Sequence, residues 1–191
     1  MAGCAPLPVT SYVGDSGAGR LSYGSCSLRV VPEGLVVERS GIEVLADIRP
    51  QGDEEVVQLR YDVGHGHRVR LASREVAVDP RDGSGPRIGA IEAIDVLGRA
   101  DPYGWKDLPA RRAGLRPPDL LMVDSQLPEL PTGPRPVANV RHYWVASAVS
   151  TGHASRLWLQ LPDLTVDDAL VVFPPIRFER HTRVVAAPAN C

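Results

Sequence analysis

Residues 55–71 read EVVQLRYDVGHGHRVRL, and the fold class is decided in this stretch. Val57, Leu59, Tyr61 and Val63 fall on one face of an extended chain, with Gln58, Arg60 and Asp62 on the other. A period of two is what a half-buried strand shows, because successive side chains point to opposite faces. Gly64-His65-Gly66 follows as a turn. His67, Val69 and Leu71 then alternate with Arg68 and Arg70. Two alternating runs about a Gly-containing turn predict a β-hairpin.

The same pattern extends outward. Further strands are expected over 28–31, 35–39, 42–48, 75–78, 87–96, 140–148, 156–161, 170–173, 176–180 and 183–187. Turns are expected at Pro32-Glu33-Gly34, Ser40-Gly41, Asp82-Gly83-Ser84-Gly85 and Asp167-Asp168. Many short strands with turn signals between them predict an all-β fold, an antiparallel β-sandwich of immunoglobulin-like type. The pair Pro174-Pro175 belongs at an edge or a strand switch, since proline cannot donate to a central ladder.

Composition agrees. Gly and Pro number 18 each in 191 residues, above their ordinary use, and both punctuate regular structure. Hydrophobic residues at 43% and charged residues at 23% are those of a globular chain with a core of its own. Aromatics are only 5%, so that core rests on Val, Leu, Ile and Ala. A net charge of −2, with no basic block, lacks the electrostatic footprint of a nucleic-acid binder. Lys106 is the only lysine, which fits a GC-rich genome. No segment holds the 18 to 20 apolar residues that a membrane-spanning helix needs.

The pattern breaks over 99–138, which holds eight prolines. It is expected as an ordered insertion between strands, with one short helix over 108–115. A linker between two small domains is the alternative. Residues 1–20, small, polar and rich in Gly and Pro, are expected as a flexible tether, and 21–191 as one domain.

The N-terminal Ala2-Gly3-Cys4 resembles the end of a bacterial lipoprotein signal, the lipobox, which usually runs Leu-Ala-Gly-Cys. Met1 stands where Leu is usual, and no apolar stretch precedes it, as in a chain that begins just inside the signal. The resemblance implies lipidation of Cys4, anchorage in a membrane and a place in the bacterial cell envelope, on the periplasmic side or as an outer-membrane lipoprotein. Two cysteines remain, Cys26 at the expected first strand and Cys191 at the last position. Their pairing would account for the odd count and close almost the whole chain. The chain-entropy account makes such a bridge worth roughly 5 kcal/mol at most. Three reduced thiols are the alternative, while zinc lacks any C-x-x-C spacing.

Four signals bear on chemistry. Gly14-Asp15-Ser16-Gly17 resembles the nucleophile segment of chymotrypsin-like proteases and of GDSL-type esterases. Every histidine follows Ser16, however, and the esterases' Asp-x-x-His and Gly-x-Asn-Asp partners do not occur. His65-Gly66-His67 has the spacing of a metal pair on one side of a strand, but no third ligand follows at the distance a cupin motif requires. Gly14 and Gly19 open a phosphate-loop spacing that Arg20 and Leu21 do not complete. Tyr103, Trp105, Tyr143, Trp144 and Trp158 are candidate contact anchors for a protein or glycan, or else covers for the core. The expectation is therefore a non-catalytic binding or structural module without a cofactor. An enzyme using Ser16 or the pair His65 and His67, and an accessory subunit of an envelope complex, are the alternatives. Mass spectrometry without reductant, on protein from an oxidising compartment, should show Cys26 linked to Cys191, and two free thiols there would disprove the pairing.

Overall fold

The computed structural model describes residues 6–23, 32–64, 67–91, 93–97, 111–114, 121–123 and 140–186. Among them are sixteen strands and no helix. In chain order these are β1 (Pro6–Gly14), β2 (Arg20–Tyr23), β3 (Pro32–Arg39), β4 (Ile42–Gln51), β5 (Glu54–Gly64), β6 (Arg68–Leu71), β7 (Glu75–Asp79) and β8 (Arg87–Ala90). Then come β9 (Ala93–Leu97), β10 (Arg111–Gly114), β11 (Leu121–Val123), β12 (Val140–Val149), β13 (Arg156–Gln160), β14 (Leu164–Val166), β15 (Ala169–Val171) and β16 (Ile176–Ala186). Every pairing is antiparallel. The protein is all-β.

The strands form three sheets. Sheet A has the order β1-β16-β13-β7-β8, sheet B the order β10-β9-β12-β5-β4-β3-β2, and sheet C the order β11-β6-β14-β15. One buried cluster draws on all three, from Tyr12 of β1 through Leu59 of β5 and Val69 of β6 to Phe178 of β16. The inward face read from the sequence holds: Val57, Leu59, Tyr61 and Val63 have no exposed surface.

The partner of that strand differs from the expectation. β5 and β6 do not form a hairpin. β5 is paired along one edge with β4 and along the other with β12, so no edge is left for β6, which pairs with β14 and β11 in sheet C. Alternation reports which way side chains face, and carries nothing about which strand lies alongside.

Two of the turns are placed as read. Arg39 pairs Ile42 and Val166 pairs Ala169, which leaves Ser40-Gly41 and Asp167-Asp168 as two-residue hairpin turns. All four residues have positive φ, from 48° to 74°, the backbone that primed turns demand and that matches strand twist. Residues 82–85 lie in the connection between β7 and β8. Pro32 and Gly34, expected in a turn, belong to β3 instead.

Other expectations need correction. Residues 6–14 are no tether, because β1 pairs with β16 from Pro6↔Ala186 to Gly14↔Phe178, and its Tyr12 is in the core. β1 is the edge of its sheet, where Pro6 and Pro8 are tolerated. The stretch 87–96 is two strands in different sheets, and the pair expected over 176–180 and 183–187 is, as far as residue 186, the one strand β16. The expected helix over 108–115 is strand at 111–114, paired with β9, and a second piece of the insertion pairs with β6. The strand expected over 28–31 lies outside the described residues.

Sheets A and B meet closely where β8 passes β12. A Cβ on Gly89 would stand 2.6 Å from Val149 Cγ2 and 2.9 Å from the Ala148 carbonyl, and would overlap the Ser147 hydroxyl. Gly89→Ala should therefore lower stability by about 1–3 kcal/mol through overpacking. Urea unfolding should show the midpoint falling with the slope unchanged.

Candidate binding face and buried carboxylate

The outward face of sheet A gathers chemistry that the alternation of its strands puts there. In β13, Leu157 and Leu159 point into the core, which turns Arg156, Trp158 and Gln160 outward. In β16, Ile176 and Phe178 are buried, which turns Arg177, Glu179 and His181 outward. The register sets Trp158 opposite Arg177 on one side and Asp79 of β7 on the other, and Arg156 opposite Glu179.

These neighbours interact. The Arg81 guanidinium lies over the Trp158 ring at 5.3 Å from its centroid and also faces Asp79 at 3.4 Å. The Glu179 carboxylate accepts a hydrogen bond from Arg177, lies 3.4 Å from Arg156 Nε and 4.0 Å from His181 Nε2. The Arg177 hydrogen bond and charge hold the Glu179 carboxyl below its usual range. One carboxylate thus organises three cationic or basic side chains on an open sheet face.

Beside this ladder a cleft of about 350 Å³ opens between the end of β1 and β16, lined by Asp15, Ser16, Arg177, Glu179 and His181 over Val13 and Leu21. Ser16 sits here, exposed, in the turn after β1. The Asp15 carboxylate accepts from the Gly17 backbone N–H at 2.9 Å, so it shapes the turn. Ser16 and His181 stand 165 positions apart in the chain, and only the fold brings them to one cleft.

The remaining expected site residues divide. His65, Tyr103, Trp105, Cys4, Cys26 and Cys191 lie outside the described residues. His67 Nδ1 lies 2.7 Å from Asp167 Oδ2, and the same carboxylate accepts from the Arg68 backbone N–H at 2.8 Å. That arrangement clips the β14–β15 turn to the start of β6. Among the described residues no group of three side chains is placed to hold a metal ion. Tyr143 is a core residue. Trp144 is half-buried under Arg60, 5.7 Å from its centroid, and Arg60 in turn makes two hydrogen bonds of 2.9 Å to Asp62. The chain matches no protein family, no curated protein and no solved structure.

A buried carboxylate was missed in the sequence. Glu55 has no exposed surface. The Thr151 backbone N–H donates to Oε2 at 3.0 Å and His153 Nδ1 to Oε1 at 2.9 Å. The Tyr12 hydroxyl, 3.1 Å from Oε1, is shared with the Ala154 carbonyl at 3.0 Å. Burial pushes the Glu55 carboxyl up, but the hydrogen bonds from Thr151, His153 and Tyr12 outweigh it and hold the group below its ordinary value. Burial, then the Glu55 charge, pushes the Tyr12 hydroxyl up to about 12. The signal was present: Glu55 stands two residues before Val57 and so belongs to the inward face.

This cluster ties β1, β5 and the segment after β12 together, so it is a structural pin. Glu55→Gln should cost about 1–3 kcal/mol at neutral pH, because it weakens the bonds to buried donors. The folded value lies below the ordinary 4.5, so the ionised carboxylate's contribution is fully present above 4.5 and is lost as pH falls through the folded value. Unfolding midpoints measured from pH 7 downward should show that acid slope reduced in Glu55→Gln.

Proposed function

We propose that this protein is a non-catalytic binding module of the bacterial cell envelope, held at a membrane by a lipid on Cys4, which docks a protein partner on the outward face of sheet A. The observation that carries the reading is Trp158 set among Arg81, Arg156 and Arg177 on an open sheet face. Trp and Arg are the residues that most often dominate binding energy at protein interfaces, because they combine large area with directional charge. The anchor rests on Ala2-Gly3-Cys4, and the location follows from it. The finer fold reading, an immunoglobulin-like sandwich, has the support of antiparallel sheets that share one buried cluster.

A photo-crosslinking residue in place of Trp158 should trap a discrete partner in envelope extracts, and one in place of exposed Glu38 on β3 should not. Arg156→Glu with Arg177→Glu should abolish the adduct. Equal labelling at both positions, or none, sinks the docking face. Metabolic labelling with an alkyne fatty acid, from a gene with its own upstream sequence, should mark the wild type and spare Cys4→Ala.

A hydrolytic reading has one specific observation behind it, that Ser16, His181 and Glu179 line one cleft. It loses ground because the Glu179 carboxylate is already taken by two arginines. A covalent fluorophosphonate adduct at Ser16 would establish it in place of the binding reading.

A further inference from the structure

The same face ends, at β7 and β8, in a trough of different chemistry. Gln160 donates its side-chain amide to the Phe173 carbonyl at 2.8 Å and the Leu161 carbonyl at 3.2 Å, which fastens the segment 172–175 beside the end of β13. Pro174 and Pro175 have no N–H to give a ladder, so this segment stands off the sheet as a wall. Between the wall and β8 lies a trough of about 490 Å³ over Ala77. Ile88 on β8 is 57% exposed and Val172 on the wall is 56% exposed, and both line it. Two large apolar side chains held open on facing walls are an incomplete contact.

The rim of the trough is acidic. Glu75 and Asp163 both line the trough. Their carboxylates hold no ion pair or hydrogen bond among the described residues, whereas Asp79 and Glu179, elsewhere on this face, each hold an arginine. Unpaired acid beside exposed apolar surface is complementary to a chain that brings an apolar side chain with a cation next to it. A trough walled by strand and proline segment suits an extended backbone. We propose that it receives an extended peptide segment of the partner protein, in which an apolar residue is flanked by Lys or Arg. The proposal rests on the reading of this face as a docking surface and adds the recognition chemistry of its far end.

The test uses the full chain, isotope-labelled for NMR, and two synthetic peptides, acetyl-Lys-Leu-Val-Leu-Lys-amide and its counterpart with Glu in place of both lysines. The lysine peptide should shift the amide signals of Ala77, Ile88 and Val172 in a saturable way, and the Glu peptide should bind several-fold more weakly. Glu75→Gln and Asp163→Asn should each weaken the lysine peptide by about twofold to fivefold, the scale of a solvent-exposed ion pair. Ile88→Ser, a substitution at an exposed position, should remove the binding of both peptides. Equal affinity for the two peptides, or shifts confined to other residues, would overturn the proposal. So would self-association in sedimentation that Ile88→Ser abolishes, since the occupant would then be a second copy of the chain. If the crosslink at position 158 forms while neither peptide binds, the trough alone is wrong. If the peptide binds as expected and no crosslink forms, the cationic part of the docking face is wrong.

Discussion

Strand β5 is hydrogen-bonded along both edges, to β4 from Gln51↔Glu54 through Glu43↔Asp62, and to β12 from Val149↔Glu55 through Val140↔Gly64. Its inward side chains Val57, Leu59, Tyr61 and Val63 are wholly out of water, and Glu55 continues that row. Complete backbone pairing allows these residues to be buried, because an unpaired amide at such depth would cost more than the side chains return. The remaining elements fit around this strand. β6 is excluded from sheet B, Tyr12 of β1 reaches Glu55 at one end, and Thr151 and His153 arrive there from the end of β12.

What could be read from the sequence was local. The inward row of β5 and the turns at Ser40-Gly41 and Asp167-Asp168 depend on a few adjacent residues, and they appear as read. Strand partnership depends on residues far apart, so the β5–β6 hairpin failed although both strands exist. β1 was missed because Pro6, Pro8 and small residues weaken its own signal, and its partner β16 is almost the whole chain away. Glu55 was missed for a different reason. Charged residues are rarely buried unless paired, and its partners Tyr12, Thr151 and His153 are scattered along the sequence.

The candidate site was legible in part for the same reason. Trp158 could be seen as an outward aromatic from alternation within β13. The Arg81 stack, the Glu179 ladder and the cleft that joins Ser16 to His181 are products of register between β1, β16, β13 and β7. Sheet A therefore turns four unrelated stretches into one surface. The side chains on it interact across strands, and nothing in any single stretch announces them.

The pairing of β1 with β16 also bears on how the molecule comes into being. β1 is completed by a strand that is made far later, so its nine-residue ladder, the Tyr12 plug and the closing of sheet A must all wait until β16 has been synthesised. Folds dominated by such distant pairings gain their structure slowly, since loop closure must be met before the contacts reward it. A growing chain of this kind stays open along one edge of its main cluster until β16 emerges.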